Sequence, residues 1–361
     1  GIENGVVRFT NVRVPRENVL WGEGRGLKLA LITLNTGRLT IPATCAAAGK
    51  WSLQVARRWS NERTQWGAPV GKHDAVAQMI GNMAATTFAM EAVAELSAAL
   101  ADAGKSDIRL EAAIAKMFNS EAAWKVIDDL MQIRGGRGYE TAASLAARGE
   151  TPIPVERAMR DLRINMIFEG SSEIMRLFIA REAVDPHLSR AGAMVDPNAR
   201  TGAKMKGVLG LGAHFAGWYP TLVAGWGRWP RYSEYGQLSS HMRFVERASR
   251  KLGRTLFYAM ARFGPKLEKR QSVLFRLVDV GAQLFAMSAV CVRARQLVAA
   301  NPNERGPEML ADVFCRAARK RVRRLFADVF NNHDVVTYRL AQDVLAGRYS
   351  WMEQGIVDAP E

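Results

Sequence analysis

Residues 160–183 read RDLRINMIFEGSSEIMRLFIAREA, and the parsing of this run decides what kind of molecule the chain builds. The apolar pair Ile167 and Phe168 closes one stretch, and Ile174, Leu177 and Phe178 recur at helical spacing beyond Gly170. Ser171 or Ser172 can cap the first orphan N–H groups of that helix, and Gly170 lets a backbone or ligand approach closely. Glu169 therefore stands in a loop between an apolar pair and a helix start. A carboxylate stripped of water there becomes a stronger base. The plainer reading is a carboxylate favoured by the positive end of a helix, and spacing alone favours that plainer reading.

Three more long helices lie upstream. One is expected over about 27–59, with Leu27, Ala30, Leu31 and Leu34 on one face and a kink or boundary at Pro42. A second covers about 75–103, rich in Ala and Met. A third covers about 107–132, with Ile114, Met117, Phe118, Ile127, Leu130 and Met131 on its apolar side. Four long helices joined by short loops make an up-and-down four-helix bundle, so the fold class is mostly α. Ahead of them, residues 5–20 alternate apolar and polar. Val7 with Phe9 and Val12 with Val14 read as two short strand pieces ending at Pro15. The chain has no initiator Met and opens in mid-pattern, which reads as a fragment with its upstream part missing.

Past Pro186 the composition changes. Residues 191–240 are rich in Gly, Pro and Trp and read as a break. Helices are expected again over about 241–262, 268–300 and 307–330, the last carrying the dense basic run Arg319, Lys320, Arg321, Arg323 and Arg324. Charge follows the same division. Residues 1–184 hold 23 basic against 20 acidic side chains, and residues 185–361 hold 27 against 15. Most of the net +15 thus belongs to the second half, which suits an anionic lipid, an acidic protein or a nucleic acid. Three distant cysteines, Cys45, Cys291 and Cys315, do not suggest a disulfide framework, and no Cys/His spacing typical of a metal site occurs.

Two further segments carry chemistry. NERTQWG at 61–67 offers an Arg fork and loop donors suited to a diphosphate, although a solvated loop Arg is the commoner reading. QIRGGRGY at 132–139 would let a nucleotide lie against backbone, but equally resembles any Gly-rich helix stop.

Taken together and in order, VRVPRENVL, GEGRGLKLA, NTGR, RTQWG, QIRGGRGY and RDLRINMIFEGSSEIMRLFIAREA resemble the acyl-CoA dehydrogenase family over about residues 1–190. The basic helical extension makes the chain similar to the very-long-chain members. The resemblance implies four segments: 1–22 as the end of a middle β-domain, 23–190 as the C-terminal four-helix bundle, 191–240 as a Gly/Trp-rich linker or membrane-interface segment, and 241–361 as a basic helical extension. It also implies FAD as cofactor and Glu169 as the base that takes the α-proton of an acyl thioester while the β-hydrogen leaves as hydride. The thioester oxygen would be held by the Glu169 N–H and a flavin hydroxyl. Some members place the base beside the Arg of the first bundle helix. Here that neighbour of Arg38 is Gly37, which has no side chain to serve.

By the same resemblance Asn35, Thr36, Gly37, Arg38 and Gly170 match acyl-CoA contacts. Arg63, Thr64, Gln65 and Trp66 match an FAD-phosphate segment, usually used across a dimer interface, and His73 and Asp74 a weaker FAD contact. Gln132, Ile133, Arg134, Gly135 and Gly136 match the segment along the ADP part of FAD, and Ser171, Ser172 and Glu173 the contacts after the base. The implied partners are an acyl-CoA, electron-transfer flavoprotein and a second copy of the chain. The implied location is the cytoplasm, or the mitochondrion in a eukaryote. Residues 205–230, with Trp218, Tyr219, Trp226 and Trp229 near Lys204, Lys206, Arg228 and Arg231, read as a peripheral membrane contact as readily as a packed linker. A non-catalytic or DNA-binding member of the family is the alternative, but aromatic interleaving is sparse around 316–324 and nucleic acid is disfavoured.

Overall fold

Helical periodicity governs nearly the whole molecule. The structure, a computed structural model, describes residues 5–104, 107–195, 201–225 and 229–355. The side chains of Leu31, Asn35 and residues 188–195, 201, 203–206, 208 and 211 lie outside that description.

Four long helices form the bundle: α1 (Gly26–Glu62), α2 (Asp74–Ala103), α3 (Arg109–Arg134) and, after the short α4 (Gly136–Tyr139), α5 (Ala142–Ala147) and α6 (Val155–Arg163), the helix α7 (Ser172–Val195). No helix boundary falls at Pro42, and α1 runs through it. An interior proline forfeits one helical hydrogen bond. Here the surrounding turns are held by packing, with Ile41, Cys45 and Ala46 buried. The buried Asn119 of α3 also donates 2.9 Å hydrogen bonds to the carbonyls of both Pro42 and Met90.

The two strand pieces expected at 7–9 and 12–14 are not strands. The segment is exposed and pairs with nothing among the described residues. A period-2 pattern makes a strand only where a neighbour supplies the ladder. The loop expected at 61–74 instead contains a two-residue hairpin, β1 (Thr64–Gln65) against β2 (Ala68–Pro69), with Thr64 opposite Pro69. Its corner residues, Trp66 (φ 48°) and Gly67 (φ 77°), both take the positive φ that a tight hairpin turn demands.

The break expected over 191–240 is also largely a helix, α8 (Thr201–Ala224), which carries five of its glycines and Pro220. Packing overrides propensity here. Phe215 stacks on His187 of α7, Trp218 lies 4.8 Å from the same ring, and Tyr219 meets Phe257 and Tyr258. Trp226 and Arg228 lie outside the described residues, and so do the side chains of Lys204 and Lys206.

The extension consists of α9 (Ser239–Phe263), α10 (Gln271–Ala300), α11 (Gly306–Asp328) and α12 (Asp334–Leu345), the last not anticipated. It shares its core with the bundle. One buried cluster joins Met90, Ile127 and Leu130 to Met287, Val290, Phe314 and Val322, and a second joins Met117, Met175 and Ile179 to Leu274 and Leu277. Phe118 of α3 meets Phe314 of α11 edge-on at 6.1 Å. By length and composition α2 and α10 could each cross a membrane, but two-thirds of the apolar stretch of α10 is buried in protein.

A charged lock closes the same seam. Arg176 of α7 makes a two-point fork to Glu121 of α3 (2.7 and 2.9 Å) and a third bond to Asp279 of α10 (2.8 Å). Burial works against the charge, but the two carboxylates outweigh it and hold the guanidinium above its ordinary value. Beside the lock lies a cavity of about 240 Å³ between Met117, Phe118, Asp279, Phe314 and Arg321.

Candidate active site

Glu169 sits in the loop between α6 and α7 with φ 52°, in the left-handed region that a non-glycine residue rarely adopts. Gly170 follows at φ 93°, and a side chain there would also strike the Met175 side chain. The loop is built by its neighbours. The N–H groups of Ile167 and Phe168 both donate to the Ile164 carbonyl at 2.8 and 3.0 Å, and the Ile174 N–H reaches the Ser171 hydroxyl at 3.4 Å. Ser171 is thus the residue that answers the expected cap. Ser172 begins the helix with its Oγ buried and without a hydrogen-bond partner.

The carboxylate of Glu169 reaches across to α1. Its Oε2 is buried without a hydrogen-bond partner and lies against Gly37, where any Cβ would collide with it. The glycine is therefore what admits the carboxylate to this position. Arg38 is half-buried beside it, with its guanidinium 5.4 Å from the Phe178 ring centre. Burial lowers the Arg38 pKa, and the nearby Glu169 charge opposes that. The sequence missed one member of the group, Lys116 of α3. It is fully buried, and its ammonium donates to the carbonyls of Phe168 (3.0 Å) and Gly170 (2.7 Å). Its only signal in the sequence is a lysine inside the apolar run Ala112–Phe118. Thr36 is exposed, and the Asn35 side chain lies outside the described residues.

A second group lies at the far end of α1, about 25 residues on and so on the order of 38 Å away at the helical rise. Arg63, Thr64, Gln65 and Trp66 are exposed there, Trp66 at 88%. His73 Nε2 hydrogen-bonds the Gln65 carbonyl (3.0 Å), and its ring meets Trp66 edge-on at 5.6 Å. Asp74 is the exposed first residue of α2 and accepts from Gln78 at 3.3 Å. The Gln132–Gly136 segment belongs to this end, because Trp59 of α1 donates to the Ile133 carbonyl at 3.1 Å. Arg134 folds inward over the Trp59 ring at 4.8 Å, and burial lowers its pKa. Ile133 is buried, while Gln132, Gly135 and Gly136 face outward with open space where side chains would stand at the two glycines.

The structure therefore gathers Gly37, Arg38, Glu169, Gly170 and Ser172 at one place and Arg63–Trp66, His73, Asp74 and Gln132–Gly136 at another. It does not bring the two together within one chain.

Comparison with known proteins identifies the bundle and the extension. The pattern described as acyl-CoA dehydrogenase, C-terminal domain, matches residues 24–184, and that described as ACAD9/ACADV, C-terminal domain, matches residues 236–347. Probable acyl-CoA dehydrogenase FadE10 of Mycobacterium tuberculosis is 56% identical over 364 residues, covering 100% of this chain and 56% of that protein. The human mitochondrial very long-chain specific acyl-CoA dehydrogenase is 32% identical over 331 residues, 88% of this chain and 47% of that one. The chain thus spans about half the length of the curated relatives it matches. A crystal structure of an acyl-CoA dehydrogenase complexed with FAD from Bacillus anthracis superposes with a TM-score of 0.65 at 22% identity, over 91% of this chain and 54% of that one, which speaks to the fold. With one pattern on the bundle, another on the extension and this chain aligned from end to end with part of a longer relative, the chain belongs to the acyl-CoA dehydrogenase family, among relatives of its very-long-chain members.

Proposed function

We propose that this chain is part of an FAD-dependent acyl-CoA dehydrogenase of fatty-acid β-oxidation. It would desaturate medium to very-long-chain acyl-CoA and pass electrons to electron-transfer flavoprotein. The observation that carries the reading is the Glu169 carboxylate, held against Gly37 with one oxygen buried and lacking a hydrogen-bond partner. A structural carboxylate in such a place normally has its acceptor sites filled. One that must receive a proton keeps a site open.

The residues present fit the cofactor. The buried, unanswered Ser172 Oγ, the outward-facing backbone at Gly135 and Gly136, and the solvent-facing Trp66 ring each suit a bound group better than bare water. Arg63, Thr64, Gln65, Trp66, His73 and Asp74 would hold FAD on one side, Gln132, Ile133, Arg134, Gly135 and Gly136 along another, and Ser171, Ser172 and Glu173 beside the base. Arg134 would serve through its backbone, since its guanidinium lies on Trp59. When bound, FAD supplies the redox chemistry by accepting the β-hydrogen as hydride. Glu169 takes the α-proton onto its carboxylate. The Glu169 N–H would hold the thioester oxygen, which stabilises the charge that develops as that proton leaves. Asn35, Thr36, Gly37, Arg38 and Gly170 would border the acyl-CoA.

The length of α1 between the two residue groups supports a homodimer, in which the Arg63 end of one copy serves the Glu169 end of the other. A peripheral membrane contact through 205–230 has narrower support. Trp218 and Tyr219 are engaged with α7 and α9, which leaves Leu209, Val223 and Trp229 as its exposed large apolar side chains among the described residues. We place the protein in the cytoplasm, or in the mitochondrion in a eukaryote, and the mitochondrial relative named above supports the second.

The test is Glu169→Gln in the full-length protein. Bound flavin is retained and its bleaching by palmitoyl-CoA falls by about 10³-fold or more. Bleaching at the normal rate removes the assignment.

A further inference from the structure

The buried lysine behind the base loop has no part in the reaction as described so far. Lys116 lies at 0% exposure in the middle of α3, between buried Ala115 and Met117. Burial lowers its pKa, Glu169 and then Cys45 oppose that, and Arg38 adds to it. A methionine of similar length would fill the same space without the cost of burying a charge. What the ammonium adds is two hydrogen bonds, 3.0 Å to the Phe168 carbonyl and 2.7 Å to the Gly170 carbonyl. These are the residues on either side of Glu169.

Between those two carbonyls the backbone turns through consecutive positive φ angles, 52° at Glu169 and 93° at Gly170. Such a conformation persists only where the surroundings over-determine it. The other bonds holding Ile167 and Phe168 run to Ile164, within the same segment. Lys116 ties the loop to a different helix. We infer that Lys116 is the positioning residue of the base: its ammonium grips the peptide carbonyls before and after Glu169 and fixes the loop so that the carboxylate stays against Gly37. The assignment rests on the reading of Glu169 as the base.

Two measurements on the full-length flavoprotein test it, with circular dichroism confirming that each variant folds. In Lys116→Met, amide hydrogen exchange at residues 167–171 rises by about tenfold or more, while α1 and the rest of α3 and α7 keep their protection. In the same variant, loss of the α-deuteron from α-deuterated palmitoyl-CoA slows by about 100-fold with substrate affinity unchanged, the cost expected of a base displaced by on the order of 1 Å. Lys116→Arg, which keeps two-point donation, recovers most of both signals. If Lys116→Met fails to fold, Lys116→Gln takes its place in the same comparison.

Unchanged exchange at 167–171 overturns the clamp. Loosened exchange with normal deuteron loss overturns positioning. Protection lost evenly along all helices makes Lys116 a packing residue and overturns it too. Should Glu169→Gln bleach normally, the proposed function falls, while the exchange measurement still reports on the clamp.

Discussion

Two faces of the bundle are finished in opposite ways. Where α10 and α11 cover α2, α3 and α7, the seam is closed from within the chain. Met287, Val290 and Val322 are fully buried there, and Arg176 bridges two carboxylates from two different helices. At the Arg63 end and along the start of α1 the surface is bare, with Trp66, Tyr139 and Leu27 at 75–88% exposure. An end that leaves two large aromatic side chains, Trp66 and Tyr139, in the open offers surface to something else. Of the residues proposed for FAD phosphates and its ADP part, Arg63 to Trp66, Gln132, Gly135 and Gly136 lie on the bare face, while Ile133 and Arg134 are turned into the core. Stability and the proposed binding would thus be served largely by different sides of the same four helices.

The comparison can be broken by substitutions on each side. The largest effect is expected at the charged lock. Arg176→Met takes the shared cation from Glu121 and Asp279, leaving Asp279 only the longer 3.9 Å pairing with Arg321, and should cost about 3–4 kcal/mol, at the lower end for a buried pair because both carboxylates are partly exposed. It is read as a fall in the denaturation midpoint, and an unchanged midpoint would show that the seam is held by apolar contact alone. Met287→Ala on α10 opens a cavity in the shared core and should cost about 2–3 kcal/mol. If instead the extension melts separately while the bundle is untouched, the two do not form one core. The smallest effect belongs to the bare face. Trp66→Ala should move the midpoint by no more than about 0.5 kcal/mol, yet weaken flavin retention in the full-length protein. A stability loss as large as that of Met287→Ala would mean that Trp66 is a core residue and the face is not open.

The long helices were legible because their apolar residues repeat over seven or more turns. α2, expected at 75–103, runs from 74 to 103, and α3, expected at 107–132, runs from 109 to 134. Residues 191–240 read as a break because glycine and proline are local helix breakers. Gly210, Gly212, Gly217 and Pro220 instead sit in a helix whose aromatic side chains pack on α7 and α9. The strand reading of Val7–Val14 was sound as a pattern, but the pattern does not contain its partner. At the site, spacing alone favours an idle carboxylate at 169, and only the resemblance of the motif implies a base. In the sequence Gly37 reads only as a position with no side chain to serve as base, while its structural part, making room for Glu169, depends on a contact between α1 and a loop far along the chain. Lys116 was invisible for a plainer reason: one lysine in an apolar helix reads as a point on the solvent side.

Asn119 has a consequence of its own. Its single amide group serves carbonyls on α1 and α2 at once, and both acceptors are interior positions of those helices. Apolar packing alone tolerates a helix sliding by one residue, since a neighbouring methyl can replace the one that left. The two amide bonds do not tolerate it, because a shift of 1.5 Å along either axis would carry a carbonyl out of reach. Asn119 thereby sets the axial phase of three helices together, so the level at which Gly37 stands opposite the loop from α6 is fixed from deep inside the molecule rather than at the site itself.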